Sequence, residues 1–153
     1  MVFDPIWTLP SAEPLSPTSF MQPLDAGTDG AGNLLLIARY SGPFAIAGEP
    51  LAIQAASGFG VVLAKYERDG TPLWHRSLPG HGGFSNVAAD SMGNVVALGR
   101  SLGSVDLNDG LLDADGPQLL LAKYAPSGKP LLRAACATVD NYSETRGWEL
   151  WKL

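Results

Sequence analysis

The sequence predicts an all-β fold built from two copies of one four-stranded antiparallel sheet. Three observations support this prediction: two stretches of the chain are near-copies of each other, apolar runs have the length of strands, and glycine and proline separate those runs. The segment 29–36 returns as 90–97, and the segment 61–66 returns as 119–124. Self-similarity of this kind is typical of architectures in which one supersecondary unit packs against its own copies.

The composition fits one turn-rich β protein. Of the 153 residues 46% are apolar and only 16% charged, which excludes a disordered chain, and the 18 glycines and 12 prolines indicate many turns. The net charge of −5 and the scattered basic residues exclude the usual electrostatic surface for nucleic acid or an anionic membrane. The single Cys136 excludes an internal disulfide and a zinc site built on a Cys pair.

The sequence also bears on membranes and secretion. No apolar run approaches the roughly 20 residues of a membrane-spanning helix, so we expect no membrane insertion. The first residues contain neither the basic segment nor the apolar segment of a secretory signal. Either the protein stays inside the cell or its natural N-terminus lies upstream of Met1, and we favour the second alternative.

Four apolar runs are the expected inner strands. They are Leu34–Tyr40, Val61–Tyr66, Val95–Gly99 and Leu119–Tyr124. Because these runs are continuous and do not alternate with polar residues, they predict sheets buried on both faces. No stretch of about 11 residues carries a helical apolar period free of Gly and Pro, so other sheets must provide the cover.

Turn chemistry predicts how these strands are joined. The segments 29–33 and 90–94 each offer an Asp that bonds its own backbone and a Gly for positive φ, which favours a type I turn ending in a left-handed glycine. Segments 68–70 and 126–128 are equivalent turns between the third and fourth strands. Within the unit, 44–46 and 105–107 alternate like a short extra ribbon between the second and third strands.

The positions of the outer strands are predicted from two prolines and from the pattern of the inner strands. Pro72 and Pro130 lack an N–H donor, so we place each at the start of an edge strand. The predicted order in the second unit is 86–89, 94–99, 118–124 and 130–134.

The repeat sets the expected boundaries: residues 25–79 form the first unit and residues 80–137 the second. Residues 1–24 hold five of the 12 prolines and are expected to be an irregular lead-in. Within it, residues 6–8 are a candidate for the last strand of a preceding unit, because Trp7 resembles Trp74. Residues 138–153 match nothing in the repeat and form a divergent C-terminal tail.

A radially repeatable four-stranded unit of about 60 residues is the blade of a β-propeller. The second copy contains, in order, the 90–94 turn, a strand with a late Gly99, the segment 103–106, the Ala-Lys-Tyr block 122–124 and Gly128. In this order it resembles the bacterial β-propeller repeat (SBBP-type) of large secreted and cell-surface proteins. The resemblance covers roughly residues 29–137 and implies two β-propeller-type blades of an incomplete propeller, in an extracytoplasmic protein.

The first copy departs from this pattern at two places. Arg39 stands where a Gly is expected, and Ala45 where an Asp is expected.

Two blades do not close a ring, since propellers have about 4 to 8. We favour the interpretation that the chain is a piece of a longer propeller protein. Two alternatives stay open: copies of the chain assemble to complete a ring, or the two units stack as a sandwich with the ends covering the open faces. The expected partners are therefore other blades or copies of the chain itself.

The candidate metal ligands are Asp106, Asp113 and Asp115, which resemble a carboxylate-rich calcium loop. Their spacing departs from the Asp-x-Asp-x-Asp-Gly pattern that calcium loops use. The first copy has Ala55, Ala56 and Ser57 in place of residues 113–115, so the unit does not need the ion. We therefore favour solvated turns and expect no cofactor.

Catalytic groups are sparse. His75 and His81 are the only histidines and have no third ligand beside them in sequence. No Gly-x-Ser-x-Gly elbow is present, and no Lys follows the Gly-rich segment 80–83 to bind phosphate.

The remaining distinctive residues are aromatic or basic. The four tryptophans Trp7, Trp74, Trp148 and Trp151 are candidates for sugar stacking, but packing is the favoured role. The two Lys-Tyr pairs, 65–66 and 123–124, recur at one position of the unit. We expect each Tyr to pack between blades and each Lys to be a solvated charge that blocks stray strand pairing.

The sequence thus predicts a non-enzymatic scaffold or binding segment of a larger bacterial extracytoplasmic protein. A protein or glycan ligand would be met by the loops 25–28, 81–85 and 103–117. The alternatives are a self-assembling module and a fragment of a propeller-fold enzyme acting on polysaccharides, which would need carboxylates or histidines converging on one rim.

Overall fold

The computed structural model describes residues 12–51, 58–79, 82–107, 110–113 and 116–137. These ranges contain thirteen β-strands and no helix. The strands are β1 (Ala12–Pro14), β2 (Phe20–Thr28), β3 (Leu34–Ser41), β4 (Phe44–Ile46), β5 (Glu49–Pro50), β6 (Phe59–Tyr66), β7 (Pro72–Pro79), β8 (Gly83–Ala89), β9 (Val95–Ser101), β10 (Val105–Asp106), β11 (Leu111–Leu112), β12 (Gln118–Tyr124) and β13 (Pro130–Ala137).

Two four-stranded sheets form the framework. Sheet 1 has the order β2-β3-β6-β7 and sheet 2 the order β8-β9-β12-β13, with every neighbouring pair antiparallel. A short ribbon leaves each sheet between its second and third strands: β4–β5 in sheet 1, to which β1 is added, and β10–β11 in sheet 2. The predicted all-β fold, its inner strands and its extra ribbons are confirmed.

The two sheets share one hydrogen-bonding register. Each has a bulge in its first strand, between Pro23 and Asp25 in β2 and between Phe84 and Asn86 in β8. Each has a second bulge where the third strand meets the fourth, beside Lys65 and beside Lys123. Two bulges at equivalent places mark the sheets as copies of one unit, since bulges re-aim side chains at defined positions.

The lead-in differs from the expectation. β2 begins at Phe20, so residues 20–24 belong to sheet 1, and the boundary expected at residue 25 falls inside a strand. Pro23 is tolerated because β2 is the edge strand of its sheet and the bulge follows directly. Residues 6–8 and the tail 138–153 lie outside the described residues.

The register also corrects one position of the repeat. Gly99 pairs with Phe84 in sheet 2, and the residue that pairs with Pro23 in sheet 1 is Ala38. Ala38, and not Arg39, therefore stands where the resemblance expects a glycine.

The four hairpin turns predicted from the sequence have the expected geometry. In the first, the Gly32 N–H donates to the Asp29 carbonyl at 2.9 Å and the Asp29 N–H donates to the Asn33 carbonyl at 3.0 Å. The same pattern recurs in the other three turns. The glycine that ends each turn is left-handed, with φ of 82° at Gly32, 91° at Gly70, 77° at Gly93 and 82° at Gly128.

The sheets stack front to back. The front face of sheet 1 is the face turned toward sheet 2, and its back face is the opposite one. In sheet 2, the front and back faces are those that hold the matching positions of the repeat. The front-face positions are Leu35, Ile37, Leu63, Lys65, Trp74 and Leu78 in sheet 1, matched by Val96, Leu98, Leu121, Lys123, Leu132 and Cys136 in sheet 2. The back-face positions are Leu36, Ala38, Val62, Ala64 and Tyr66, matched by Ala97, Gly99, Leu120, Ala122 and Tyr124.

Two apolar cores follow from this stacking. The first lies between the sheets and joins the front face of sheet 1 to the back face of sheet 2. The second lies on the back face of sheet 1, where Phe44, Ile46 and Leu51 cover it. Sheet 1 is therefore buried on both faces, as predicted. Sheet 2 is not, because its front face meets no other sheet within the described ranges and its side chains stay partly exposed.

The turn glycines offer a test of this packing. A Cβ on Gly128 would lie 2.7 Å from the indole of Trp74, whereas a Cβ on Gly93 would meet only Pro126 at 3.6 Å. Gly93→Ala should cost about 1–2 kcal/mol for its left-handed backbone. Gly128→Ala should cost a further 1–3 kcal/mol or so, because the indole must move.

Urea unfolding of the two variants measures this difference. Gly103→Ala is the control, since its Cβ meets nothing within 4 Å, and should leave the free energy of unfolding unchanged. Equal losses in Gly93→Ala and Gly128→Ala would contradict the contact between β7 and the last turn.

Candidate functional site

The junction of the two sheets combines an apolar core with hydrogen bonds and an aromatic contact. Leu35, Ile37, Leu63 and Leu78 of sheet 1 are each fully buried there. They meet the back face of sheet 2, whose small and aromatic side chains complete the core: Val95, Ala97, Leu120, Ala122 and Tyr124. Burying a large aliphatic side chain contributes roughly 1.5–3 kcal/mol, so the junction is a main source of stability for both sheets.

Three side chains of sheet 1 add hydrogen bonds to backbone groups of sheet 2. The Asp25 carboxylate accepts a bond from the Val87 N–H at 2.8 Å. Trp74 Nε1 donates to the Pro126 carbonyl at 2.9 Å, and Arg76 Nη2 donates to the Gly128 carbonyl at 2.7 Å. All three partners are backbone groups, so these hydrogen bonds depend on the path of the chain in sheet 2 and not on the identity of its side chains.

Trp74 is a packing residue, which is the role that we expected from the sequence. Its ring centroid lies 5.8 Å from that of Tyr124 across the junction, and its indole rests on Gly128. Tyr124 therefore packs between the sheets as predicted. Tyr66 instead lies on the back face of sheet 1, within the second core. Trp7, Trp148 and Trp151 lie outside the described residues.

An Asp–Asn–Lys cluster closes the first turn of each unit. In sheet 1 the Asp29 carboxylate accepts bonds from the N–H groups of Ala31 and Asn33 and from the Asn33 side-chain amide, at 2.9–3.0 Å. Lys65 Nζ lies 2.8 Å from the same carboxylate, and both side chains are buried. The cluster ties the second and third strands together at one end of the sheet.

Sheet 2 contains the same cluster in a more exposed state. Asp90 accepts from Met92 and from Asn94, and Lys123 Nζ lies 2.8 Å from it. The Lys65 and Asp29 side chains are 2% and 3% exposed, whereas those of Lys123 and Asp90 are 34% and 28% exposed. The two clusters consist of the same residue types. Their exposures differ because a sheet covers the cluster of sheet 1 and not that of sheet 2.

The prediction that these lysines are solvated charges that block stray strand pairing is wrong. Lys65 and Lys123 lie in third strands, which pair on both sides, and so guard no open edge. Each instead neutralises the turn carboxylate of its own unit. The sequence contained a signal for this pairing, because both copies carry an Asp in the first turn and a Lys inside an otherwise apolar strand.

Both turn carboxylates are held ionised. Burial raises the pKa of Asp29, but hydrogen bonds from Lys65 and Asn33 outweigh it and keep the pKa well below its ordinary value. For Asp90, the bonds from Lys123 and Asn94 lower the pKa in the same direction. A buried ionised carboxylate needs such partners, since an unpaired charge in the interior is strongly unfavourable.

The candidate calcium ligands Asp106 and Asp113 form hydrogen bonds within the 103–117 connection. Asp113 lies 2.6 Å from the Ser104 hydroxyl, and Asp106 accepts a bond from the Gly110 N–H at 3.3 Å. Asp115 lies outside the described residues. Within the described part of the chain, no three His, Cys, Asp or Glu side chains are grouped as metal ligands.

His75 lies in a groove between the β4–β5 ribbon and the edge strand β7. The groove has a volume of about 280 Å³, and it is lined by Ile46, Ala47, Glu49, Pro72, Leu73, Trp74, His75 and Arg76. Burial lowers the pKa of His75, although Glu49, whose carboxylate lies 4.0 Å away, opposes this. Among the described residues that line the groove, none offers a hydroxyl or thiol nucleophile beside the imidazole. His81 lies outside the described residues.

The loops expected to meet a ligand are partly strands. Residues 25–28 belong to β2, and residues 83–85 belong to β8. Residues 25–28 pair with β3, and Gly83 and Phe84 pair with β9, whereas Ser85 is the bulge residue between Phe84 and Asn86. The 103–117 connection does leave the sheet and contains the β10–β11 ribbon.

No model of a known protein family matches the chain. A search among curated proteins finds no match either. Within the described ranges, no helix is long and apolar enough to cross a membrane.

The paired clusters predict unequal effects of equal substitutions. Lys65→Met should destabilise the protein by about 3–5 kcal/mol, because it leaves the Asp29 charge buried without its partner. Lys123→Met should cost only a small fraction of that, because solvent screens its partner. Chemical denaturation of both variants gives the comparison.

Lys129→Met is the matched control, since Lys129 is exposed at the last turn. Equal losses for Lys65→Met and Lys123→Met would contradict the unequal cover of the two sheets.

Proposed function

We propose that the chain is a non-enzymatic β-propeller-type repeat segment, which serves as a scaffold or binding surface in a larger bacterial extracytoplasmic protein. The observation that carries the proposal is the front-to-back stacking of two equivalent sheets. Because sheet 1 meets sheet 2 with its front face and sheet 2 meets sheet 1 with its back face, the front face of sheet 2 allows the arrangement to be continued by a further unit of the same kind.

The relative placement of the strands supports blades arranged around an axis. The first strand of sheet 2, β8, lies near β2, β3 and β6 of sheet 1. Sheets that converge along their first strands are those of a propeller, in which the first strand of each blade lies innermost. The bacterial and extracytoplasmic parts of the proposal rest on the resemblance of residues 29–137 to the SBBP-type repeat.

A scaffold role also fits the chemistry of the polar groups. The buried or half-buried acidic side chains in the described residues are bound within their own unit or across the junction: Asp25, Asp29 and Asp90. Groups bound in this way define turns and junctions, and are not poised toward a cleft. The ligand surface of the proposal is the 103–117 connection, where the ribbon of sheet 2 projects.

Light scattering with a turnover assay tests the proposal. We expect a monomer of 16.1 kDa, because the back face of sheet 1 is already buried and does not accept the front face of another copy. A discrete multimer would favour the self-assembling module instead. We also expect no release of reducing or unsaturated ends from neutral or uronic-acid polysaccharides. Cleavage that disappears in His75→Ala would overturn the non-enzymatic assignment.

A further inference from the structure

The front face of sheet 2 is the surface on which the two copies differ most. Leu63 and Leu78 are fully buried in sheet 1, whereas their counterparts are half-buried at Leu121 and exposed at Cys136. Leu132, which takes the position of Trp74, is 51% exposed. Positions that share sequence pattern and register differ in exposure only because one front face is covered and the other is open.

The open face is largely apolar. Val96, Leu98, Leu119, Leu121 and Leu132 form an apolar surface that holds the Lys123–Asp90 ion pair. The exposed side chains of Arg100 and Asn86 stand on the same face. Contiguous apolar surface of this kind marks an interaction site, since isolated soluble domains rarely expose it. A cover would bury the Lys123–Asp90 pair as sheet 2 buries Lys65–Asp29.

The junction already present defines the chemistry of the cover. The surface that packs on a front face is a back face: small residues in the middle strands, a tyrosine at the end of the third strand, and exposed backbone groups in the last turn. The chain's other back face, on sheet 1, is buried by its own ribbon. A second copy of this chain therefore does not supply the partner surface.

We infer that the front face of sheet 2 is the docking surface for one further four-stranded sheet of the same repeat, presented by its back face. This inference rests on the proposed repeat-scaffold function and names its partner. Leu132 and Ala134 stand where Trp74 and Arg76 stand in sheet 1, so this junction lacks two side-chain donors. The sheet that docks here is recognised by apolar contact, and its last turn need not present carbonyl acceptors.

A chain extended by one unit tests the inference. A second copy of residues 80–137 is inserted after Ala137, which takes the same position in the repeat as Pro79, and the cysteine of the added copy is replaced by serine. Cys136 then reports on the front face. We expect its reaction with a thiol reagent to slow by at least about tenfold relative to the parent chain, because its counterpart Leu78 is fully buried.

Two variants of the extended chain make the result specific. Leu132→Glu, on the front face, should restore the reactivity of Cys136. Met92→Glu should not, because Met92 lies in a turn whose counterpart, Ala31, stays exposed beside the docked sheet.

Three results would overturn the inference. One is a Cys136 that reacts as fast in the extended chain as in the parent chain, whether or not the added unit folds. Another is protection that survives Leu132→Glu. The third is a parent chain that is already dimeric with a protected Cys136, which would make a second copy the partner. The first two results do not bear on turnover or on the oligomeric state of the 153-residue chain, so the proposed function is judged separately from them. A dimeric parent chain would count against both the inference and the proposed function.

Discussion

Each sheet of this protein is apolar on both faces, and this constraint governs the rest of the structure. A sheet of that kind needs cover on two sides, and no helix within the described ranges supplies it. Sheet 1 is covered by sheet 2 in front and by its own ribbon behind. Within the described ranges, sheet 2 is covered only on its back face. The stacking of one sheet on the other is therefore the way in which these sheets become stable.

The polar groups of the junction follow from the same constraint. A turn that ends beside an apolar face must satisfy its backbone donors without water, and the carboxylates of Asp29 and Asp90 do this. Each carboxylate then needs a cation, which Lys65 or Lys123 provides from the third strand. Breaking the cluster is most destabilising where the next sheet excludes solvent. The exposure of the cluster therefore shows whether a neighbouring sheet covers it.

Local chemistry allowed much of the fold to be predicted. The inner strands, the glycine-ended turns and the edge strands that begin at Pro72 and Pro130 depend on residues close in sequence. The start of β2 was missed because Pro23 suggests a loop, and only the bulge and the edge position explain it. The buried Lys65 was missed because a lysine in a strand gives no indication of whether its strand lies at an edge or at the centre. The exposure of the front face of sheet 2 depends on the lack of a covering sheet among the described residues, which no local pattern encodes.

Native-state hydrogen exchange tests whether the junction makes the two sheets one cooperative unit. The slowest amides of β3 and β6 in sheet 1 and of β9 and β12 in sheet 2 should report a single opening free energy, because neither sheet keeps its buried face without the other. Two separate values, with one sheet exchanging while the other stays protected, would contradict the account.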